Sequence, residues 1–204
     1  MKIELPGGVA VNMFKAVNTA RATDKMRVAL TAVNWEIVGG VHTFTATDSF
    51  RLHTVSIPDP TATYSDSALL SGDIVKMVQA CAKIGGKDNT VALEITDRYG
   101  VRFCDVFVGT VREIGASNLC GSVECLSNEY PTCRSIIDGA TDIELPALFN
   151  GKYLAGLIDA ATLWAGKDNP ITVETIHARK PSRIVSANEF GTFTGVVMPQ
   201  RGGK

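Results

Sequence analysis

Apolar side chains recur along this chain in two alternating rhythms. Lys2 to Leu5 alternates at the strand period, and Val9 to Thr23 then sets Val9, Met13, Val17 and Ala20 on one face of a helix. After a polar break at Asp24 and Lys25 come Arg27 to Asn34, Trp35 to Val38, Val41 to Ala46 and Arg51 to Ile57. These are strand-like runs rich in valine, threonine and aromatics, punctuated by Gly39-Gly40 and Asp48-Ser49. Pro58 and Pro60 close this unit and the order restarts. Ser67 to Leu70 reads as a strand and Asp73 to Ile84 as a helix with Asp73 at its N-cap and Gly85-Gly86 as its stop. Val91 to Thr96, Val101 to Cys104 and Phe107 to Ile114 follow as strands. Ala116 to Gly139 is less regular, with a strand-like stretch from Ser122 to Leu126. A third pass has a strand at Asp142 to Leu145, a helix at Phe149 to Trp164, and strands at Ile171 to Ile176, Arg183 to Ala187 and Thr192 to Val197.

Strand, helix and strand meander thus repeat three times, at a period of about 65 to 70 residues. Each helix is followed by several strands joined by tight turns, not by another helix, so these helices are not the crossovers of a parallel sheet. The expected class is α+β, with antiparallel sheets and one helix per unit.

Composition changes little in that picture. The chain has 204 residues, 45% hydrophobic and 20% charged, enough for a sizeable core. No apolar run reaches the roughly 18 to 20 residues of a membrane span, and Met1-Lys2-Ile3-Glu4 lacks the core of a signal peptide, so a cytoplasmic location is expected. The cysteines Cys81, Cys104, Cys120, Cys125 and Cys133 form no Cys-x-x-Cys pair and have no histidine at zinc-finger spacing; they read as reduced thiols, and no metal or cofactor is expected. His42, His53 and His177 lack metalloprotease spacing, no Gly-x-Ser-x-Gly occurs, and no glycine-rich phosphate loop opens a helix, so catalysis is not expected.

The net charge is -1, so any basic surface must be local. The helical segments supply one. Val9 to Thr23 carries Lys15 and Arg21 without an acid; Asp73 to Lys87 carries Lys76, Lys83 and Lys87 against Asp73; Phe149 to Lys167 carries Lys152 and Lys167 against Asp159. Together with Lys25 and Arg27 these cations suit a phosphate backbone read without base specificity; a solvated helix face is the other reading. No aromatic-rich strand suited to stacking single-stranded bases is present.

Four short motifs then point to one family. Arg27-Val-Ala-Leu-Thr-Ala-Val-Asn-Trp-Glu36 followed by Ala46-Thr-Asp-Ser-Phe-Arg-Leu52 resembles the middle domain of the bacterial DNA polymerase III beta sliding clamp, where the second motif reads Ala-Thr-Asp-Gly-His-Arg-Leu. Tyr130-Pro131-Thr-Cys-Arg134-Ser-Ile136 resembles the Phe/Tyr-Pro-Asp-Tyr-Arg-Arg-Val that ends that domain. Phe149-Asn150-Gly-Lys-Tyr153-Leu154 resembles the opening of the last helix of the C-terminal domain, and Val196-Val197-Met198-Pro199-Gln200-Arg201 its closing Val-Val-Met-Pro-Met-Arg.

The resemblance implies the DNA-clamp fold, a ring around duplex DNA with helices lining the hole and sheets outside, their edges paired across subunits. It implies a processivity factor, not an enzyme, that tethers the replicative polymerase and the clamp loader through short peptides. Its peptide pocket, carried over by motif, would comprise Leu30, Thr47, Ser49, Phe50, Arg51, Leu52, Pro131, Ile136, Tyr153, Val196, Val197, Met198 and Pro199. Thr47-Asp48-Ser49 also reads simply as a turn capped by Asp48, and Phe50 and Tyr153 as core aromatics. The implied domains are 1–122, like the middle domain, and 123–204, a reduced C-terminal domain. Two whole domains per copy would close as a trimer, the favoured expectation, and one and a half as a tetramer, with a dimer also open. A clamp this short suits a phage or mobile element. The rival reading is a clamp-like protein that captures such peptides without encircling DNA.

Overall fold

In this computed structural model the chain is described over residues 1–84, 89–109, 119–138, 148–174 and 180–200. Eleven strands and four helices lie in these segments. The first unit comprises β1 (Lys2–Pro6), α1 (Gly7–Asn18), β2 (Val33–Val38), β3 (Val41–Thr47) and β4 (Arg51–Pro58). The second comprises β5 (Asp66–Leu70), α2 (Gly72–Ile84), β6 (Thr90–Arg98), β7 (Val101–Gly109) and β8 (Leu119–Glu124). After the short α3 (Arg134–Asp138) come α4 (Gly151–Ala165), β9 (Thr172–Val173), β10 (Ser182–Asn188) and β11 (Gly191–Val197). The expected strand at Asp142 to Leu145 lies outside the described residues.

Local chemistry explains the tight turns. Gly39 and Gly40 both have positive φ (59° and 73°), the requirement of a two-residue turn whose twist matches its strands, and they join β2 to β3. Tyr99 and Gly100 do the same between β6 and β7, with φ of 55° and 79°. At the start of α4 the Asn150 side chain accepts a hydrogen bond from the Lys152 backbone N–H at 3.0 Å, satisfying an amide that the helix cannot.

Two antiparallel sheets result. One runs β1-β6-β7-β8 and the other β5-β2-β3-β4-β11-β10-β9. Each of the first two units therefore lends its leading strand to the other's sheet: β1 pairs with β6, and β5 with β2. The third unit joins through its last strand, with β11 antiparallel to β4 from Thr192↔Ser56 to Val197↔Arg51. Above the sheets α1 packs against both α2 and α4, so the three long helices form one row.

One continuous core lies beneath that row. Phe14 of α1 meets Phe44 of β3 edge-on at 5.7 Å, and Phe44 stacks on Trp35 of β2 at 5.3 Å. Trp35 is fully buried and its Nε1–H donates to His42 Nδ1 at 3.0 Å. That contact leaves the proton of neutral His42 on Nε2, which faces Asp59 Oδ2 at 3.1 Å; His42 is a satisfied core histidine.

Several sequence expectations are corrected in detail. Arg27 to Asn34 is not a strand: Val28–Thr31 forms a 3-10 turn, and β2 starts only at Val33. The helix expected from Val9 to Thr23 begins earlier and ends at Asn18. Val101 to Gly109 is one strand, where the pattern predicts two. β8 runs through residue 122, and Leu126 beyond it bridges to Leu69 of β5. All five cysteines are free thiols.

Candidate functional site at the joint between the first and third units

Where β4 meets β11 a cavity of about 590 Å³ opens on the outer side of the sheet. It is built on the β3–β4 turn. Asp48 Oδ1 accepts the backbone N–H of both Phe50 and Arg51 at 3.0 Å, and Asp48 Oδ2 holds Arg51 Nε at 3.0 Å. Thr47 Oγ1 donates to Arg51 O at 2.8 Å and accepts Ser49 N–H at 3.1 Å, which fixes Ser49 at φ 78°. Asp48 thus has the turn role that the sequence suggests, and its effect is to aim Phe50 outward. Across the joint, Met198 N–H donates to Phe50 O at 3.1 Å, tying the chain end beyond β11 to the turn.

Ten of the thirteen residues expected in the pocket line this cavity: Leu30, Thr47, Ser49, Phe50, Arg51, Leu52, Pro131, Ile136, Val196 and Met198. Tyr153, Val197 and Pro199 do not. Tyr153 stands behind the wall, its ring 6.2 Å from Phe50 and 5.1 Å beneath the Arg51 guanidinium, so it braces two lining residues. Val197 is fully buried in the core because it alternates with Val196 along β11. Phe50, Ile136 and Met198 are exposed by 55%, 42% and 40%, whereas Leu52 is 3% exposed, so the cavity has a buried floor and an apolar rim open to solvent.

The pocket residues expected from the motifs leave out part of the lining. Val28, Ala29, Asn128, Glu129, Thr132 and Cys133 also face the cavity, and so does Arg27. The expectation that Arg27 faces DNA is therefore corrected. Its Nη1 donates to Ser49 Oγ at 3.0 Å and its Nε lies 3.5 Å from Asp24 Oδ2. Only the 3-10 turn explains this placement, and a run that reads as a strand hides it. Burial pushes the Tyr130 phenol and the Cys133 thiol up, to about 11 for the latter, so neither is an ionised nucleophile beside the cavity.

The other basic residues divide. Lys15, Lys83 and Lys152 are exposed on α1, α2 and α4, and Lys25 is exposed in the segment after α1. Lys76 is exposed but paired with Asp73 at 2.9 Å. Arg21 is half-buried and turned onto the start of α2 beside Gly72, where loss of solvent lowers its pKa and Asp73 partly offsets the effect. Arg21 therefore serves packing between α1 and α2. Lys87 lies outside the described residues, as does His177. Among the described residues no group of three or more His, Cys, Asp or Glu could hold a metal ion, and no helix is long and apolar enough to cross a membrane.

No curated protein matches the chain. Among solved structures it is similar to the beta subunit of DNA polymerase III from Thermotoga maritima, with 16% identity and a TM-score of 0.70 over 100% of this chain and 66% of that one. It is likewise similar to the DNA polymerase III beta chain of Streptococcus pneumoniae, with 14% identity and a TM-score of 0.67 over 99% of this chain and 65% of that one. These likenesses show the fold, an α+β DNA clamp, and the chain spans just under two thirds of each of those proteins. A family model, the central domain of the DNA polymerase III beta subunit, matches residues 4–112. That match takes in more than half of the 204 residues and ends within the second unit, and by it the chain belongs to the DNA polymerase III beta subunit family.

Proposed function

We propose that the chain is a sliding-clamp processivity factor. It encircles duplex DNA as a homo-oligomeric ring and holds the replicative polymerase and the clamp loader, one at a time, through a short apolar peptide seated at the β4–β11 joint. The observation that carries this reading is the cavity itself. Two segments about 150 residues apart in the sequence close one apolar hollow with a few directing polar groups, the form that suits a small anchor on a flexible tail. Met198 at the rim adapts to different anchors. Tyr153 braces the wall from behind, and Val197 lies in the core beneath it.

Lys15, Lys25, Lys83 and Lys152 are the cations proposed to face DNA, without reading its sequence. Three of them sit on the row of helices. A ring retains DNA by topology, so a chain of net charge -1 suffices and no catalytic group or cofactor is needed. The domain division would separate the first two units, like the central domain of the family, from a reduced last domain. Two whole domains per copy would close as a trimer; three units make one and a half, which favours a tetramer.

The half-domain also favours a second reading, in which the protein captures clamp-binding peptides without encircling DNA. Retention on closed circular DNA against linearised DNA separates the two: equal loss from both would leave only peptide capture. For the pocket, Met198→Glu should weaken binding of a labelled peptide carrying leucine and phenylalanine anchors by at least about tenfold while the melting temperature holds, since Met198 is already 40% exposed. Unchanged affinity would move the partner site elsewhere.

A further inference from the structure

Each of the three units ends in an outer strand: β4, β8 and β11. β4 and β11 pair with each other, antiparallel, and their helices α1 and α4 pack together across that joint. An antiparallel pair of equivalent strands is locally two-fold, so the first and third units meet as like parts. β8 occupies the same position in the second unit, yet among the described residues it pairs only with β7.

Among the described residues nothing pairs with the other side of β8. Cys125 N–H donates to Arg102 O at 2.9 Å, which sets the alternation along the strand. Gly121 and Val123 direct their backbone groups at β7, and the N–H and C=O of Ser122 and Glu124 point outward. Leu119, Cys120, Ser122 and Glu124 are exposed, and neither proline nor lysine blunts the strand, whereas isolated sheet edges usually carry such a block. β8 also shares a packing device with β11. A Cβ at Gly195 would overlap Leu157 of α4, and a Cβ at Gly121 would come within 2.8 Å of the Met77 sulfur of α2. In both units the helix presses a long side chain onto a glycine of the outer strand.

We propose that β8 pairs with β8 of a second copy, antiparallel about a two-fold axis, repeating between chains the joint that β4 and β11 make within one. Self-pairing suits this strand. With Gly121 near the axis, Leu119 of one copy lies opposite Val123 of the other, and the two Glu124 carboxylates stand at opposite ends of the ladder. Such an interface is isologous, so it builds species with an even number of copies. The inference deepens the ring reading and rests on it only for what the assembly does with DNA, since a β8-paired dimer needs no closed ring.

The test uses the full chain and reads solution mass by native mass spectrometry and light scattering. Ser122→Pro removes an outward N–H and leaves the β7 ladder intact. Leu119→Asp adds a charge at an exposed position and serves where the proline variant fails to fold by circular dichroism. The expected result is an even multiple of 21.7 kDa for the natural sequence, falling to half that mass in the variants. A monomeric or three-copy natural protein, or folded variants with undiminished mass, would overturn the proposal. DNA retention is scored separately. An even-numbered assembly lost equally from circular and linear DNA would sink the ring and leave the β8 joint standing, while a three-copy species held only on circles would do the reverse.

Discussion

His53 makes the β4–β11 joint sensitive to acid. It is fully buried; its Nδ1–H donates to Ala16 O of α1 at 2.8 Å, and its ring meets Phe193 of β11 edge-on at 5.3 Å. Nε2 is buried without a partner, so a second proton there would bring an unsolvated charge into the core. Loss of solvent is the main reason its pKa falls from 6.5 to about 4; the Ala16 carbonyl opposes the shift, Arg51 adds to it and Asp48 resists it. The folded pKa lies below the unfolded one, so between pH 6.5 and about 4 the unfolded chain takes up a proton that the folded chain refuses. This contribution to stability is complete above pH 6.5 and is lost as pH falls toward 4, about 3 kcal/mol in all. His53→Asn keeps a donor for Ala16 O and removes the titration. It should lower stability at pH 7.5 by about 1–2 kcal/mol through lost packing, and flatten the pH dependence between 6.5 and 4.5. Urea unfolding of both chains at fixed protein concentration measures this. Parallel stability curves for the two chains would refute the assignment.

Three further outcomes follow from the geometry. Gly195→Ala should cost about 1–3 kcal/mol, read as a lower urea midpoint, because Leu157 already occupies the space of the new methyl. Asp48→Ala removes the acceptor of two backbone amides and of Arg51 Nε; calorimetry should show stability reduced by about 1–2 kcal/mol, and peptide affinity should fall as Phe50 loses its fixed direction. Replacing Lys15, Lys83 and Lys152 together by Glu should weaken DNA retention and lower the slope of log affinity against log salt by about 0.9 for each phosphate no longer neutralised, while peptide binding stays the same.

Much of the architecture is legible because the strands alternate and the turns carry their own chemistry. Gly39-Gly40 marks a hairpin, and the helix read from Phe149 starts within two residues of where α4 begins. The errors fall where packing overrides local preference. The helix pattern starts at Val9, yet Gly7 and Gly8 open α1, where Gly7 N–H donates to Asn89 O at 2.8 Å and a Cβ on Gly7 would overlap the Asn89 side chain. Val28–Thr31 has the composition of a strand, but the Leu30 carbonyl accepts Ala22 N–H at 2.9 Å, and the resulting turn sends Leu30 and Arg27 to the cavity. Family motifs name most of the lining without separating the residues that face the cavity from Tyr153 and Val197 behind it. That distinction depends on strand alternation and on the β4–β11 register, a pairing of residues about 140 apart that no local signal encodes.

That register also couples the two faces of the joint. Val196↔Leu52 and Gly195↔His53 are consecutive rungs. The first pair lines the cavity, and in the second His53 reaches the helix row through Ala16. A peptide in the cavity touches β4, β11 and the turn together, so it binds the paired joint and not the separated strands. At a hundredfold excess over its dissociation constant such a ligand stabilises the joint by about 2.7 kcal/mol, close to the about 3 kcal/mol lost between pH 6.5 and about 4 as the unfolded chain takes up the proton that folded His53 refuses. Saturating peptide should therefore return most of the urea midpoint lost between pH 7 and 4.5, and peptide affinity should hold across that range and weaken only as pH approaches about 4, where the folded protein's His53 takes up its proton. The Asn variant should lose this dependence of affinity on pH while still binding at pH 7.5. A peptide that stabilised the protein equally at every pH would mean that the cavity and His53 act independently, although their rungs are adjacent.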